Sequence, residues 1–271
     1  MVGQEELLKR FETLVSEDKF PRFSIIVGEK GSGKKMIAHK LFAMFGSGVV
    51  TVYDTSINSV REMISQSYKL NGVLSVNIIP DADTMSMQAK NALLKVTEEP
   101  PRGAYFIMTL EDERNTLETI LSRGTVFRVE KYTPAQIAQY CEEQFVVSEE
   151  ELQLYKDICN TPGEANMLQQ TGIDDFYKYV VLTVDNINKV SLANALKISS
   201  RISMKSDDTE NYDLKMFWKV FIRVCNQRMQ EDDMYVDWIR ITSKSLKRLS
   251  VKGANKQMLF DNWIFEIREW R

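Results

Sequence analysis

A glycine-rich loop between an apolar run and a helical pattern constrains the fold of this chain more than any other feature. Residues 28–35 have the sequence Gly-Glu-Lys-Gly-Ser-Gly-Lys-Lys; the apolar run 23–27 precedes them and a helical pattern over 36–45 follows. This order predicts a strand, a phosphate-binding loop and a helix whose N-terminal N–H groups cradle phosphates. The residues predicted to contact a phosphate-bearing ligand are Gly28, Gly31, Ser32, Gly33, Lys34 and Lys35.

The two positions that normally hold a metal ion depart from the usual pattern. A phosphate loop that works with Mg²⁺ ends in Ser or Thr, but Lys35 stands here, and an ammonium group cannot ligate a cation. After the apolar run 76–79, an Asp would hold the metal and a Glu would orient the attacking water. Pro80 and Asp81 occupy those two positions. The paired losses predict a site without metal and without hydrolysis, in which Lys35 adds positive charge where a cation would sit.

Charge and cysteine usage exclude several classes of protein. The net charge of −3 means that any contact with nucleic acid must come from a local patch. No apolar run approaches the roughly 18 residues of a membrane helix, and the first residues do not resemble a signal peptide. Cys141, Cys159 and Cys225 suit a reducing cytoplasm, lack zinc-binding spacing and are expected to be buried. His39 has no catalytic partner in the sequence, so we interpret it as structural.

The first half of the chain alternates short apolar runs with helical patterns. This alternation predicts a parallel five-stranded sheet covered on both faces by helices, an α/β fold. The predicted strands are residues 23–28, 49–53, 75–79, 104–109 and 125–129.

Beyond residue 129 the strand signals stop and helix signals follow. Three helices are predicted to begin at N-cap residues. Thr133 and Thr161 are each followed by a proline, and Ser148 has capping-box spacing to Glu151. After a polar connector at 206–211, further helices are predicted around 214–225 and 258–270. We predict three parts with boundaries at 1–133, 134–172 and 173–271.

Three segments resemble bacterial clamp-loader subunits, which are AAA+ proteins of the DNA polymerase III holoenzyme. Residues 81–101 are similar to the segment that follows the second acidic motif of those subunits. Residues 105–109 resemble their fourth core strand, with Thr109 at the position called sensor 1. Residues 117–124 resemble their Ser-Arg-Cys segment, with Gly124 in place of the cysteine.

Among these subunits, the delta-prime family is the most similar. The resemblance implies a P-loop AAA+ core at 1–133, a helical lid at 134–172 and a helical collar for oligomerisation at 173–271. It also implies a subunit whose own site does not hydrolyse ATP, while Arg123 acts in trans on the site of a neighbouring subunit. A guanidinium group presented across an interface stabilises charge on a transferring phosphoryl group without needing a local metal.

The resemblance implies partners as well. These are clamp-loader subunits of the gamma/tau and delta types in a mixed ring, with the sliding clamp and primer-template DNA contacted through the complex. The expected place is the bacterial cytoplasm at the nucleoid, without membrane contact. The family often carries a four-cysteine zinc module after its first helix, but residues 45–49 are short and lack cysteine, so we predict no zinc.

The retained loop residues and Glu164 affect whether a nucleotide is expected to bind. Because Gly28, Gly31, Gly33 and Lys34 remain, weak ATP or ADP binding without hydrolysis is left open, although no cofactor is required; the loop could equally be retained as scaffold. Glu164 stands where the family usually has a sensor 2 arginine, and we interpret it as a capping-box glutamate.

Two other functions remain as alternatives. One is a working or switch-like AAA+ ATPase in which Lys35 and Asp81 are unusual but competent; the other is a nucleotide-sensing regulator unconnected with replication. The apolar face 217–225 and the aromatic tail Trp263, Phe265 and Trp270 suit either a core or a collar interface. A basic run is more typical of a solvated helix face than of a DNA site: Arg240, Lys244, Lys247, Arg248, Lys252 and Lys256.

Overall fold

The structure is a computed structural model that describes residues 2–203, 212–249, 251 and 253–269. The predicted connector at 206–211 lies outside the described residues, as do Lys252 and Trp270. The chain divides into two compact units: Met1–Tyr140 with Thr161–Gly163, and Cys141–Asn160 with Glu164–Arg271. The division into three parts at 133 and 172 stays a prediction.

The first unit is built on a five-stranded sheet in which every neighbouring pair of strands is parallel. The spatial order of the strands is β2-β3-β4-β1-β5. Their bounds are Phe23–Val27 for β1, Val49–Val52 for β2, Ser75–Ile79 for β3, Ala104–Leu110 for β4 and Thr125–Arg128 for β5. The predicted parallel sheet is confirmed, and the predicted strand positions agree with the structure to within a residue or so at each end.

Helices cover both faces of this sheet. Their bounds are Glu5–Ser16 for α1, Lys34–Met44 for α2, Ile57–Lys69 for α3, Met87–Glu98 for α4 and Glu118–Leu121 for α5. The next helix, α6 (Pro134–Gln144), begins in the first unit and ends in the second. Alternate residues of β4 point to opposite faces, as the two-residue period of a strand requires. Phe106 and Met108 pack in one core with α3 and α4, while Tyr105 and Ile107 pack in the other with α1 and α2.

The second unit is almost entirely helical. Its helices, with α8 beginning at the unit boundary, are α7 (Glu149–Ile158), α8 (Pro162–Thr171), α9 (Ile173–Asn186), α10 (Leu192–Leu196), α11 (Leu214–Arg228), α12 (Met234–Leu249) and α13 (Lys256–Glu269). The capping box predicted at Ser148 and Glu151 is present at the start of α7. Two strands of two residues each, β6 (Ile202–Ser203) and β7 (Tyr212–Asp213), form a parallel pair that the sequence did not predict, because so short a strand shows no alternation.

The aromatic residues of the second unit form its core. Phe217, Trp218 and Phe221 on α11 are fully buried, and so is Trp263 on α13. The indole N–H of Trp263 donates to the hydroxyl oxygen of Thr242 at 2.9 Å. The apolar face that suited either core or interface is therefore core, whereas Phe265 is 44% exposed. On α12, Arg240, Lys244 and Arg248 lie near carboxylates of Asp237 or Glu266 and Lys247 is exposed, as in a solvated face.

Candidate functional site

The carboxyl ends of three neighbouring strands meet at one edge of the sheet. Loop 28–33 follows β1 and leads into α2, Pro80 and Asp81 follow β3, and Thr109 lies near the end of β4. In parallel α/β sheets this edge is where ligands bind. The structure therefore brings together all the residues that the sequence assigned to the local phosphate site.

The backbone of the phosphate loop depends on two glycines. Gly31 has a φ of 81° and Gly33, the N-cap of α2, has a φ of 84°. Residues with a Cβ rarely adopt this left-handed region. The loop thereby delivers the N-terminus of α2, with the positive end of its helix dipole, to the edge of the sheet. Ser32 is 3% exposed, and its carbonyl oxygen accepts a hydrogen bond from the Tyr132 hydroxyl at 2.9 Å.

Lys34 is folded onto its own loop. Its Nζ atom donates to the carbonyl oxygens of Gly28 at 2.7 Å and Glu29 at 2.9 Å. Burial lowers the pKa of Lys34, although the carboxylates of Glu111 and Asp81 act in the opposite direction. The two carbonyl oxygens take two of the three N–H donors of this ammonium group, and the third is left for a phosphate.

Lys35, which stands in place of the metal-binding Ser or Thr, forms an ion pair with Asp81, which stands in place of the water-orienting Glu. The Nζ atom of Lys35 lies 2.8 Å from Oδ2 of Asp81, and the two side chains are 59% and 53% exposed. The sequence had suggested the positive charge, but not its partner. Since Lys35 and Pro80 supply no oxygen ligand, this set of residues does not fit a magnesium site.

The backbone of Asp81 is held in an unusual conformation. Its φ of 52° and ψ of 40° lie in the left-handed region, which Asp tolerates better than most residues. Its N–H donates to the hydroxyl oxygen of Thr109 at 3.0 Å, and Thr109 is fully buried. The Thr109 hydroxyl therefore fixes the turn that carries Asp81.

A turn from later in the chain packs on the phosphate loop within the first unit. The N–H of Gly163 donates to the carbonyl oxygen of Gly31 at 2.9 Å, and the Thr161 hydroxyl donates to the carbonyl oxygen of Lys30 at 3.2 Å. A Cβ atom on Gly163 would lie only 2.4 Å from Cα of Gly31. Sequence reasoning missed this contact, and only the glycine after Pro162 hinted at a close approach.

Glu164 is a buried, ion-paired residue of the second unit. Its carboxylate accepts hydrogen bonds from Lys219 at 2.8 and 2.9 Å, from Lys215 at 3.1 Å and from the N–H of Asn160 at 2.8 Å. Burial raises the pKa of Glu164, but Lys219, Asn160 and Lys215 outweigh it, so that the net shift is downward. The interpretation as a capping residue was incomplete, because it missed both lysines of α11. The signal was their spacing of four residues on one helix face.

Arg123 lies at the opposite edge of the same sheet. It follows α5 and precedes Gly124, which packs against Phe23 and Ile25 of β1. Ser24 pairs with Thr125, so this is the amino end of β1, and the phosphate loop begins at the other end. With five residues in β1, the edges lie roughly 16 Å apart. Arg123 is therefore not brought together with the other predicted site residues.

The guanidinium of Arg123 is held by two groups. Its Nε donates to Oε1 of Glu98 at 2.8 Å, and Nη2 pairs with the same carboxylate oxygen. Its Nη1 donates to the carbonyl oxygen of Thr119 at 2.7 Å. The Arg123 side chain stays 29% exposed.

The described residues contain neither a cluster of metal-binding side chains nor a membrane-spanning helix. In that part of the chain, no group of three or more His, Cys, Asp or Glu side chains could hold a metal ion. No helix among the described residues is long and apolar enough to cross a membrane. The three cysteines are buried, as predicted, and burial raises the pKa of the Cys141 thiol to about 11 and that of Cys225 to about 12.

The fold and the loop together define the class. A five-stranded parallel sheet with this strand order, covered by helices and carrying a phosphate loop after β1, is an AAA+ P-loop core. The gamma subunit-related protein of DNA polymerase III from Thermotoga maritima has the same fold, with a TM-score of 0.54 at 16% identity, over 97% of this chain and 99% of that one.

Sequence comparisons narrow the class further. Residues 50–133 match the family model described as DNA polymerase III, delta subunit. The DNA polymerase III subunit tau of Bacillus subtilis is 27% identical over 184 residues, 57% of this chain and 32% of that protein. The tau/gamma subunit of Haemophilus influenzae is 24% identical over 173 residues, 52% of this chain and 25% of that protein. The chain thus spans a quarter to a third of the length of these relatives. It is a clamp-loader-like AAA+ protein related to DNA polymerase III gamma/tau subunits.

Proposed function

We propose that this chain is a delta-prime-type subunit of a DNA polymerase III clamp loader. It does not hydrolyse ATP itself, and it donates Arg123 in trans to a neighbouring ATPase subunit of the gamma/tau type. With a delta-type subunit in the same mixed ring, it supports ATP-driven loading of the sliding clamp onto primed DNA. The bacterial cytoplasm, at the nucleoid, is where this function belongs.

The position of Arg123 carries this proposal. The arginine and the phosphate loop lie at opposite edges of one sheet, roughly a strand length apart, so Arg123 does not reach a phosphate bound at its own loop. Its side chain is partly exposed and is held at the end of α5. An arginine in this place is suited to a phosphate that belongs to another chain.

The residues of the phosphate site support the part of the proposal that this chain does not hydrolyse ATP itself. Lys35 and Asp81 pair with each other where a metal would sit, and Lys34 is bonded to loop carbonyl oxygens. Hydrolysis at this edge lacks a metal ligand at Lys35 and Pro80, and a glutamate to orient water. Any ATP or ADP binds weakly through loop N–H groups and Lys34, without metal. The same pair argues against the alternative of a working ATPase.

The decisive experiment uses a complex reconstituted with gamma/tau-type and delta-type subunits, a sliding clamp and primer-template DNA. Arg123→Ala is expected to leave folding and assembly intact, because a partly exposed arginine contributes little to stability. Clamp-stimulated ATP hydrolysis should fall only severalfold, since other interfaces carry their own arginines, whereas clamp loading should fall further.

Two further variants make this test specific. Arg123→Lys should not rescue loading, because a point charge lacks the planar two-pronged donor geometry of a guanidinium. Arg114→Ala is the control: this arginine is 88% exposed and pairs with nearby Asp112, so loading should be unchanged. Normal loading by the Arg123→Ala complex would mean that the arginine does not act in trans. Failure of the chain to join the complex at all would favour a regulator unconnected with replication.

A further inference from the structure

The anchoring of Arg123 leaves a defined part of its guanidinium group available. A guanidinium has five N–H donors. Glu98 takes the Nε donor and one on Nη2, and the carbonyl oxygen of Thr119 takes one on Nη1. One donor remains on each terminal nitrogen, and a guanidinium that offers one donor from each terminal nitrogen can bind an oxyanion with two parallel hydrogen bonds.

We propose that Glu98 is a positioning residue for Arg123, and this inference rests on the proposed function. The carboxylate grips the Nε edge of the guanidinium and fixes the plane of the group. The terminal fork is thereby presented outward, to the phosphate of a neighbouring subunit. Glu98 itself touches neither nucleotide nor metal, so its effect on the reaction passes entirely through Arg123.

The backbone of Glu98 is held in place by the packing of the residues around it. It is the last residue of α4, and the preceding residues Val96 and Thr97 are 1% and 6% exposed. The Thr97 hydroxyl donates to the carbonyl oxygen of Leu93 at 3.0 Å, which ties down the last turn of the helix. Helix α4 packs against α5, the element that carries Thr119 and leads to Arg123. The two anchors of the guanidinium therefore come from two helices held against each other.

The donors that Glu98 takes favour a role in orienting Arg123 over a role in blocking it. A carboxylate that blocked Arg123 would take the terminal fork, the donor pair that a phosphate needs. Glu98 takes the Nε side instead and uses a single oxygen, Oε1. Holding a catalytic group in its productive orientation raises the rate, because fewer unproductive orientations are sampled.

The test uses the reconstituted complex and four variants of this chain: Glu98→Ala, Glu98→Gln, Arg123→Ala and the double variant Glu98→Ala/Arg123→Ala. Glu98→Ala should slow clamp loading about threefold or more, by less than Arg123→Ala does, with the KM for ATP unchanged. Glu98→Gln should recover part of the loss, because its amide oxygen still accepts from Nε. The double variant should load no more slowly than Arg123→Ala alone.

The outcomes separate this inference from the function on which it rests. If Arg123→Ala has no effect, the proposed function fails and the positioning role falls with it. If Arg123→Ala slows loading but Glu98→Ala does not, or if Glu98→Ala speeds loading, only the positioning role is overturned. A further loss from Glu98→Ala in the Arg123→Ala background would also overturn it, since Glu98 would then act independently. Glu99→Ala, at the adjacent exposed glutamate, is the control and should load normally.

Discussion

The two edges of the central sheet differ in the role that the proposed function gives to their charged residues. At the carboxyl edge, Lys34 is bonded to carbonyl oxygens of its own loop and Lys35 to Asp81. At the amino edge, Glu98 and the carbonyl oxygen of Thr119 take three of the five donors of Arg123, and one donor remains on each terminal nitrogen. Both edges pair their charges within the chain, but the proposed function gives a role toward another subunit only to Arg123. If that proposal holds, a P-loop fold retains its architecture while its chemical contribution moves to the other end of the same strands.

The largest expected effect concerns Glu164, whose charge is satisfied within the second unit by Lys215 and Lys219. Glu164→Ala should lower the free energy of unfolding of the second unit by about 3 kcal/mol, because it leaves Lys219, only 16% exposed, without its partner. Urea unfolding followed by tryptophan fluorescence measures this unit specifically, since the tryptophans of the chain are Trp218, Trp238, Trp263 and Trp270.

A control and a pH profile accompany this measurement. Glu266 also has two cationic partners, Lys244 and Arg248, but its side chain is 32% exposed, so Glu266→Ala should cost less than about 1 kcal/mol. The folded pKa of Glu164 lies below its ordinary value of 4.5, so its contribution is present above pH 4.5 and is lost as pH falls through the folded pKa. A difference between wild type and Glu164→Gln that grows on acidification would contradict this assignment.

The second prediction tries to convert the carboxyl edge back into a metal site. The double variant Lys35→Thr/Pro80→Asp supplies a hydroxyl and a carboxylate where the chain has an ammonium and a ring. Calorimetry should show ATP binding tightened by Mg²⁺ about tenfold, or about 1.4 kcal/mol, in this variant and little changed by Mg²⁺ in wild type. Lys35→Ala/Pro80→Ala, which removes the same groups without adding ligands, is the matched control.

Either of two results would break the comparison at this edge. Strong Mg²⁺-dependent tightening in wild type would reveal a metal site made by other residues. No tightening in Lys35→Thr/Pro80→Asp would show that something besides these two positions keeps the metal out. The turn that places Gly163 against Gly31 would then be the first feature to test as the cause of metal exclusion.

The smallest expected effect concerns the ion pair itself. Lys35→Ala should change the stability of the first unit by less than about 1 kcal/mol, because both side chains are more than half exposed. Calorimetric unfolding provides the measurement, and Lys19→Ala, from the exposed pair with Glu17, is a matched control in the same unit. A loss as large as that of Glu164→Ala would mean that the pair is structural and does not merely occupy the metal position.

The sequence predicted the parts of this fold that depend on local pattern. Each strand of the sheet is an apolar run, so strand positions and the helices on both faces could be predicted. The helix start at Ser148 was predictable because a capping box lies within four consecutive residues. The glycines of the phosphate loop likewise marked a turn that needs left-handed backbone.

Contacts between distant parts of the chain could not be predicted in this way. Lys35 and Asp81 are 46 positions apart in the numbering, and only the order of β1, β4 and β3 in the sheet brings them together. The pairing of Glu164 with Lys219 spans 55 positions, and the burial that makes it matter is a tertiary property. The hold of Glu98 on Arg123 likewise depends on how α4 and α5 pack. Residue types alone marked the positions of interest, but not their partners.

The Lys35–Asp81 contact also determines how this edge of the sheet responds to chelators and to salt. A magnesium site empties when a chelator such as EDTA removes its ion. A covalently attached ammonium group cannot be removed in this way, so chelation leaves the pair intact. Added salt screens an exposed pair at any pH where both groups are charged. The ion pair at this edge should therefore weaken as ionic strength rises and should be unaffected by EDTA. A metal-dependent nucleotide site is expected to behave in the reverse way.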